Sequence, residues 1–213
     1  RPGVDVLRLW IQAAGSGEFA KSTPAQQAGT LYAAALAAKE LRDYKAARAL
    51  AERLIARTAE DPAAAKQARW LDAEIELAAG APAKAAALLD ARSKERPEMI
   101  LAAEAAAAIR QPAPMIPVLR DWVAANPRDA TAWRTLGNLY GAQNDMLRAV
   151  RADAEANVAI LDYPAARDRF RAAQELVRKS GASIDHYEAS IIDTRARAVD
   201  VLVKQQAEEP PLR

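Results

Sequence analysis

Residues 130–156, ATAWRTLGNLYGAQNDMLRAVRADAEA, decide the fold of this chain. The stretch holds two interleaved sets of residues, large at Trp133, Leu136 and Tyr140, and small at Gly137, Ala149 and Ala156. Small residues let two antiparallel helices approach closely, and large ones fill the space between the helices. The stretch therefore predicts a helix, a turn and a second helix that packs back on the first.

These six positions are those of a tetratricopeptide repeat, a helix–turn–helix unit of about 34 residues. The predicted repeats span 24–62, 63–97, 98–127 and 128–160. In each predicted repeat, one residue of the second helix lies at the point where that helix crosses the first. These residues are separated by 38, 30 and 34 positions along the chain: Ala47, Ala85, Met115 and Ala149. A further stretch, DYPAARDRFRAAQ, has the pattern of the second helix of a repeat, and its crossing residue, Ala166, comes only 17 residues after Ala149. The helix from about 146 to 160 is thus predicted to serve two hairpins, the second spanning 146–179.

The two ends of the chain are predicted to add helices of another kind. A junction helix (VDVLRLWIQ) and a loop (GSGEFAKSTP) occupy 1–23, and a capping helix occupies 183–207. Ser180 and Gly181 are expected to stop the preceding helix, and Ser183 or Asp185 to cap the last one. The apolar side of that last helix is predicted to hold Tyr187, Ile191, Ile192, Ala198 and Leu202.

The fold class predicted is all-α: a right-handed superhelix of antiparallel helix hairpins, a tetratricopeptide-like α-solenoid, in one domain over 1–213. Composition agrees, since alanine supplies about a quarter of the residues and favours helix. No stretch shows convincing strand alternation. The chain begins at Arg1 rather than Met, which indicates a fragment or a processed chain.

Composition also excludes several function classes. There is no cysteine, and the single histidine, His186, cannot build a histidine-based metal site alone. The chain contains no HExxH, GxSxG, GxGxxG, Walker or DxDxDG motif, so no catalytic residue and no cofactor is predicted. The formal charge of +2, with both signs interleaved, argues against nucleic acid, and no apolar run is long enough to span a membrane.

Most charged residues are expected to be solvated. Glu74 and Glu76 lie two apart on one helix and point to different faces, so they form no carboxylate pair. His186 is expected to be exposed or to cap a helix. Five basic residues cluster on one predicted helix: Arg167, Arg169, Arg171, Arg178 and Lys179. Acidic residues are interspersed among them, so the cluster is expected to be a solvent-exposed face of mixed charge.

The concave face of a repeat stack is lined by the first helix of each hairpin, at repeat positions 5 and 9. These positions give the predicted partner-binding residues: Tyr32, Leu36, Trp70, Glu74, Ile100, Glu104, Arg134 and Asn138. Tyr32 and Trp70 are the candidates to anchor a peptide, because large aromatics bind at low entropic cost. The alternative for Trp70 is packing between neighbouring repeats or beneath the N-terminal helix. Trp133 and Tyr140 match core positions and are expected to be structural.

Two stretches, 132–177 and 185–197, resemble a known family. The helix around RAVRADAEA, the close-following DYPAARDRFRAAQ and the closing EASIIDTRAR are similar to the C-terminal tetratricopeptide domain of BepA-like bacterial periplasmic zinc metallopeptidases. RPGVDVLRLWIQAA is similar to the helix that leaves the protease domain in such proteins. The family's zinc ligands and catalytic glutamate belong to its protease domain, and nothing in this chain matches them.

The resemblance implies a non-catalytic, periplasmic domain, associated with the outer membrane, whose zinc belongs to a protease domain preceding Arg1. It implies recognition of misfolded outer-membrane proteins, or docking of the protease onto the outer-membrane protein assembly machinery. Two alternatives stay open: a stand-alone adaptor that binds peptides or proteins without an attached enzyme, and a nucleic-acid binder, which the balanced charge disfavours.

Overall fold

A computed structural model describes residues 2–180 and 185–208, and these ranges are entirely helical and loop. They form twelve helices and no strand, which confirms the all-α prediction for the described residues. The helices are α1 Val4–Ala13, α2 Gly17–Lys21, α3 Pro24–Glu40, α4 Tyr44–Thr58, α5 Pro62–Ala78, α6 Pro82–Ala87, α7 Arg96–Ala108, α8 Met115–Ala125, α9 Ala130–Ala142, α10 Met146–Ala159, α11 Tyr163–Ser180 and α12 His186–Glu208.

The chain divides into two compact units, Arg1–Ala105 and Ala106–Arg213, called the first and second unit below. The boundary falls near the end of α7. The continuous superhelix predicted from the repeats stays a prediction.

The core of the first unit is built largely from alanine. Helix α3 begins at a capping box, in which Thr23 and Gln26 each accept a backbone N–H of the other. It packs against α1 and α4, and fully buried alanines lie at the α3–α4 contact: Ala34, Ala35, Ala38, Ala47 and Ala51. Their small side chains let the two helices approach closely, as the repeat pattern predicts.

Three elements of the first unit differ from the sequence prediction. The predicted loop 15–24 contains the short helix α2, because the Ser16 hydroxyl accepts the Phe19 N–H and caps it. Pro62 does not end a repeat but opens α5, where a missing N–H costs nothing. The second helix of the 63–97 repeat is only the six residues of α6, and beyond its end the Asp90 N–H donates to Glu98 Oε1 at 3.0 Å.

In the second unit, α10 packs against both α9 and α11, as predicted for the shared helix. Helices α9 and α10 are in contact at Gly137: a β-carbon there would lie 3.4 Å from the Ala149 carbonyl oxygen and 3.5 Å from the Ala152 β-carbon, which are ordinary van der Waals distances. Phe170 of α11 is completely buried in a cluster that includes Ala154 and Ile192. One aromatic ring thus joins α10, α11 and α12.

The buried face of α12 matches the predicted one in part, since Ile192 is buried and Ile191 and Leu202 are half-buried. The Asp185 carboxylate accepts the N–H groups of Tyr187 and Glu188 and so caps the helix, whereas Gly181 and Ser183 lie outside the described residues, as does the tail 209–213. The buried residues are Glu188, Ile192, Ala196 and Val199, while Tyr187 and Ala198 are exposed. The apolar pattern misleads because the carboxylate of Glu188 occupies the buried stripe, paired with arginines of α10.

Candidate peptide-binding groove

Four helices of the second unit, α8, α9, α10 and α12, enclose a groove of about 560 Å³. We call it the arginine groove, and it is lined by Arg120, Val123, Ala124, Trp133, Leu136, Tyr140, Arg148, Arg151, Tyr187, Glu188 and Ile191. Its volume lies within the usual range of binding pockets. Four of its eleven lining residues are charged, which is more polar than most small-molecule pockets.

One wall of the groove is aromatic. Trp133 and Tyr140 lie seven residues apart on α9, and therefore on one face of that helix. The Trp133 indole donates to the Pro127 carbonyl at 3.1 Å, which fixes the ring while it remains partly exposed. Tyr187 of α12 also lines the groove, and it is 77% exposed. These rings offer a large contact area at little entropic cost.

The opposite wall is held by ion pairs between α10 and α12. Glu188, only 3% exposed, accepts from Arg151 Nε and lies 3.5 Å from Arg148 Nε. Arg148 is also paired with Asp145 at 2.7 Å and with Asp185. Because these partners join residues 37 positions apart, they fix the α12 wall against α10. The two arginines are therefore structural cations, largely neutralised where they stand.

Further along the same two helices, Arg195 and Glu155 form a two-point ion pair, with N–O distances of 2.7 and 2.6 Å. The Glu155 carboxylate is only 8% exposed, so the pair is well shielded from water. The groove wall thus continues into a rigid helix pair.

The remaining cation of the groove is Arg120 of α8. It is exposed, and it has no ion-pair partner within residues 2–180 and 185–208. It lines the same groove as Tyr140, and its charge acts weakly on that hydroxyl. Burial raises the pKa of the Tyr140 hydroxyl, against the opposing effect of Arg151, Arg148 and Arg120, so this hydroxyl is a proton donor at neutral pH.

The residues predicted to bind partners fall in three places. In the first unit, Tyr32, Glu74 and Glu104 come together from α3, α5 and α7, and Lys39 joins them through an ion pair with Glu74 at 2.5 Å. Burial raises the pKa of the Glu104 carboxyl, and the charge of Glu74 raises it further. Tyr32 remains 36% exposed.

Three other predicted residues of the first unit face the interior. Trp70 and Ile100 are 5% and 7% exposed, and Leu36 packs against the alanine core. Trp70 therefore presents no ring to a groove, and its burial supports the alternative of packing between repeats. Lys66 Nζ lies 5.4 Å from the centre of the Trp70 ring, which covers one face of the indole.

Glu76 corrects a further expectation, because it is buried rather than solvated. Its carboxylate accepts from Arg48 Nε at 2.6 Å and Nη2 at 2.8 Å. This hydrogen bonding lowers the pKa of Glu76. Glu74 pairs with α3 and Glu76 with α4, so the two carboxylates do point to different faces, as predicted.

In the second unit, Arg134 and Asn138 line a shallow depression of about 390 Å³, together with Ala149, Val150 and Asp153. It lies on a different face of the α9–α10 pair from the arginine groove. Arg134 and Asn138 therefore lie on a different surface from the residues that line the arginine groove.

The remaining charged residues are mostly as expected. His186 is exposed beside the capping Asp185. The basic cluster of α11 pairs with acidic neighbours at its surface, including Arg178 and Lys179 with Glu175 at 3.7 and 3.9 Å. These residues form a solvent face with balanced charge.

Sequence reasoning did not single out the arginine groove. Trp133 and Tyr140 were assigned to the repeat core, and Arg148 and Arg151 were not considered. A signal was present: the aromatic pair at a spacing of seven and the arginine pair at a spacing of three each mark one helix face. What the sequence lacks is the position of α8 and α12 beside these faces.

No protein-family model matches the chain, and no curated protein matches it significantly. In the described ranges no group of three or more histidine, cysteine or carboxylate side chains is arranged to hold a metal ion. None of the described helices combines the length and apolarity that crossing a membrane requires.

Proposed function

We propose that this chain is a non-catalytic protein–protein interaction domain, and that the arginine groove binds an extended segment of a partner protein. The observation that carries the proposal is that the exposed ring of Tyr187 lines the same groove as the aromatic side chains of Trp133 and Tyr140. Binding energy at protein interfaces is concentrated in aromatic and arginine side chains that surround a desolvated centre.

The walls of the groove support this function because they are already fixed. The ion pairs of Glu188 and Glu155 hold α12 against α10 without a ligand. A preformed groove does not pay the entropic cost of ordering its own walls when it binds a flexible chain.

Binding of short, end-blocked random-sequence peptides, measured by fluorescence anisotropy, tests the proposal. Tyr187→Ala should lower affinity about tenfold, because an exposed anchor ring is lost. Ile160→Ala is the matched control, since Ile160 is 50% exposed but outside the groove. Equal effects of the two substitutions, or no peptide binding at all, would overturn the assignment of the groove.

A more specific function follows from the resemblance to BepA-like metallopeptidases. In this proposal the chain recognises misfolded outer-membrane proteins in the periplasm, or docks a zinc metalloprotease onto the outer-membrane protein assembly machinery. Its support is the similarity of 132–177 and 185–197 to that family's repeat domain.

The coding sequence upstream of Arg1 separates this role from that of a stand-alone adaptor. An in-frame HExxH followed by an acidic ligand supports the protease-associated role. A start codon and signal peptide directly before Arg1 support the adaptor. Proteolysis by the purified chain, with or without added zinc, would contradict both.

A further inference from the structure

The arginine groove contains one cation that the fold does not use. Arg148 and Arg151 are committed to Asp145, Asp185 and Glu188. Arg120, on the α8 wall, has no such partner in the described part of the chain. A guanidinium can hold a carboxylate through two parallel hydrogen bonds, so this position is suited to an acidic group.

A second donor lines the same groove as Arg120. The Tyr140 ring is largely buried, and its hydroxyl has no hydrogen-bond partner within the described ranges. The hydroxyl oxygen is not among the buried polar atoms that lack a partner, so it reaches the solvent of the groove and can donate to a ligand. A ligand acceptor near Arg120 would supply what this hydroxyl lacks.

Apolar surface completes the site. Val123 and Ala124 lie on α8 close to Arg120 in sequence, and Ile191 and Trp133 line the same groove. An acidic residue of a bound chain would therefore lie next to positions that favour a bulky apolar residue.

We propose that the arginine groove selects segments in which an Asp or Glu side chain lies next to a large apolar residue, with the carboxylate bound by Arg120 and the Tyr140 hydroxyl. This inference rests on the proposed peptide-binding function and specifies its substrate class. The opposite preference, for basic segments, is disfavoured because Arg120 is the charged lining residue that has no ion-pair partner in the described part of the chain, whereas the lining carboxylate, Glu188, is paired with Arg151.

The test uses pairs of end-blocked peptides that carry one Glu beside a Leu or Phe, and the same peptides with Gln in place of Glu. The wild-type chain should bind the Glu peptide about fivefold more tightly, a difference typical of one exposed ion pair. Arg120→Gln should bring this ratio close to one. Arg128→Gln is the control, because it makes the same charge change at an exposed residue outside the groove.

Tyr140→Phe separates a specific contact from general electrostatic attraction. This variant keeps the buried ring and the net charge, and should also reduce the Glu-to-Gln ratio. A ratio unaffected by Arg120→Gln, or reduced equally by Arg128→Gln, would overturn the inference while leaving peptide binding intact. Binding that requires a free C-terminal carboxylate would also overturn it, and binding of neither peptide would instead contradict the proposed function itself.

Discussion

Replacing Glu188 by glutamine tests whether the groove wall depends on one buried carboxylate. The substitution keeps the shape of the side chain but removes its charge. Glu188 has a side chain only 4% exposed, and it is the acidic partner of Arg151, whose side chain is 14% exposed. We expect the α12 wall to lose much of its attachment to α10.

The expected loss of stability follows from the acidic partners that the two arginines keep. Arg148 keeps its ion pairs with Asp145 and Asp185, so losing its contact with the Glu188 carboxylate costs little. Arg151 keeps no other acidic partner among the described residues. Removing one partner of a buried pair costs about 3–5 kcal/mol, and glutamine retains an acceptor oxygen, so we expect a loss of about 2–3 kcal/mol.

Urea unfolding followed by circular dichroism measures this loss, as a midpoint shift of about 1 M. Hydrogen exchange then localises it, since amides of α12 should lose more protection than those of α3. Glu175→Gln is the matched control: its side chain is 59% exposed and pairs only along its own helix, so it should cost less than about 0.5 kcal/mol. Equal losses in the two variants would refute the buried-anchor reasoning.

Three further predictions concern the packing and ion pairs of the two units. Phe170→Ala should lower the free energy of unfolding by about 3–5 kcal/mol, because the ring is fully buried, and Phe170→Leu should lower it by less. Urea unfolding midpoints measure both losses. A loss below about 1 kcal/mol for the alanine variant would contradict the buried position of the ring. Gly29→Leu should stabilise slightly, because space is open there and leucine favours helix more than glycine does. Gly137→Leu should stabilise less or destabilise, because a β-carbon at that position already contacts Ala149 and Ala152 of α10. Thermal unfolding compares the two variants, and an equal or larger gain at Gly137 would be inconsistent with close helix approach. Arg48→Gln should lower the free energy of unfolding most above about pH 4.5, the ordinary pKa of the Glu76 carboxyl. The difference in free energy of unfolding between wild type and variant should narrow as the pH falls through the lowered pKa that Arg48 gives Glu76 in the folded chain. A difference that is independent of pH between 7 and 3 would show that the pair contributes nothing.

The sequence predicted the features that depend on side-chain size. Gly137 and Ala149 mark a close contact between two helices, and the structure places α9 and α10 in that contact. The spacing of 17 residues from Ala149 to Ala166 predicted that α10 serves two neighbours, which the packing of α9, α10 and α11 confirms. Volume patterns of this kind are local, so they can be recognised within one hairpin.

The features that sequence reasoning missed depend on pairs far apart in the chain. Glu188 reads as a surface residue until Arg151, 37 positions away, is known to face it. The predicted apolar stripe of α12 therefore leaves out Glu188 and includes Tyr187 and Ala198, which are exposed. Glu76 was assigned to solvent for the same reason, since its partner Arg48 lies on another helix. A charge pattern cannot show which charges are buried before the helices are placed beside one another.

The most direct test of the groove as a binding surface is site-specific photocrosslinking. A photoreactive phenylalanine derivative replaces Tyr187 at the groove rim or Ile160 outside it, and each chain is irradiated with the tightest-binding end-blocked peptide. Both positions are well exposed, so their intrinsic access to peptide is comparable. The account predicts strong crosslinking at position 187, competed by unlabelled peptide, and little at position 160. Equal crosslinking at the two positions, or crosslinking at 160 alone, would contradict it.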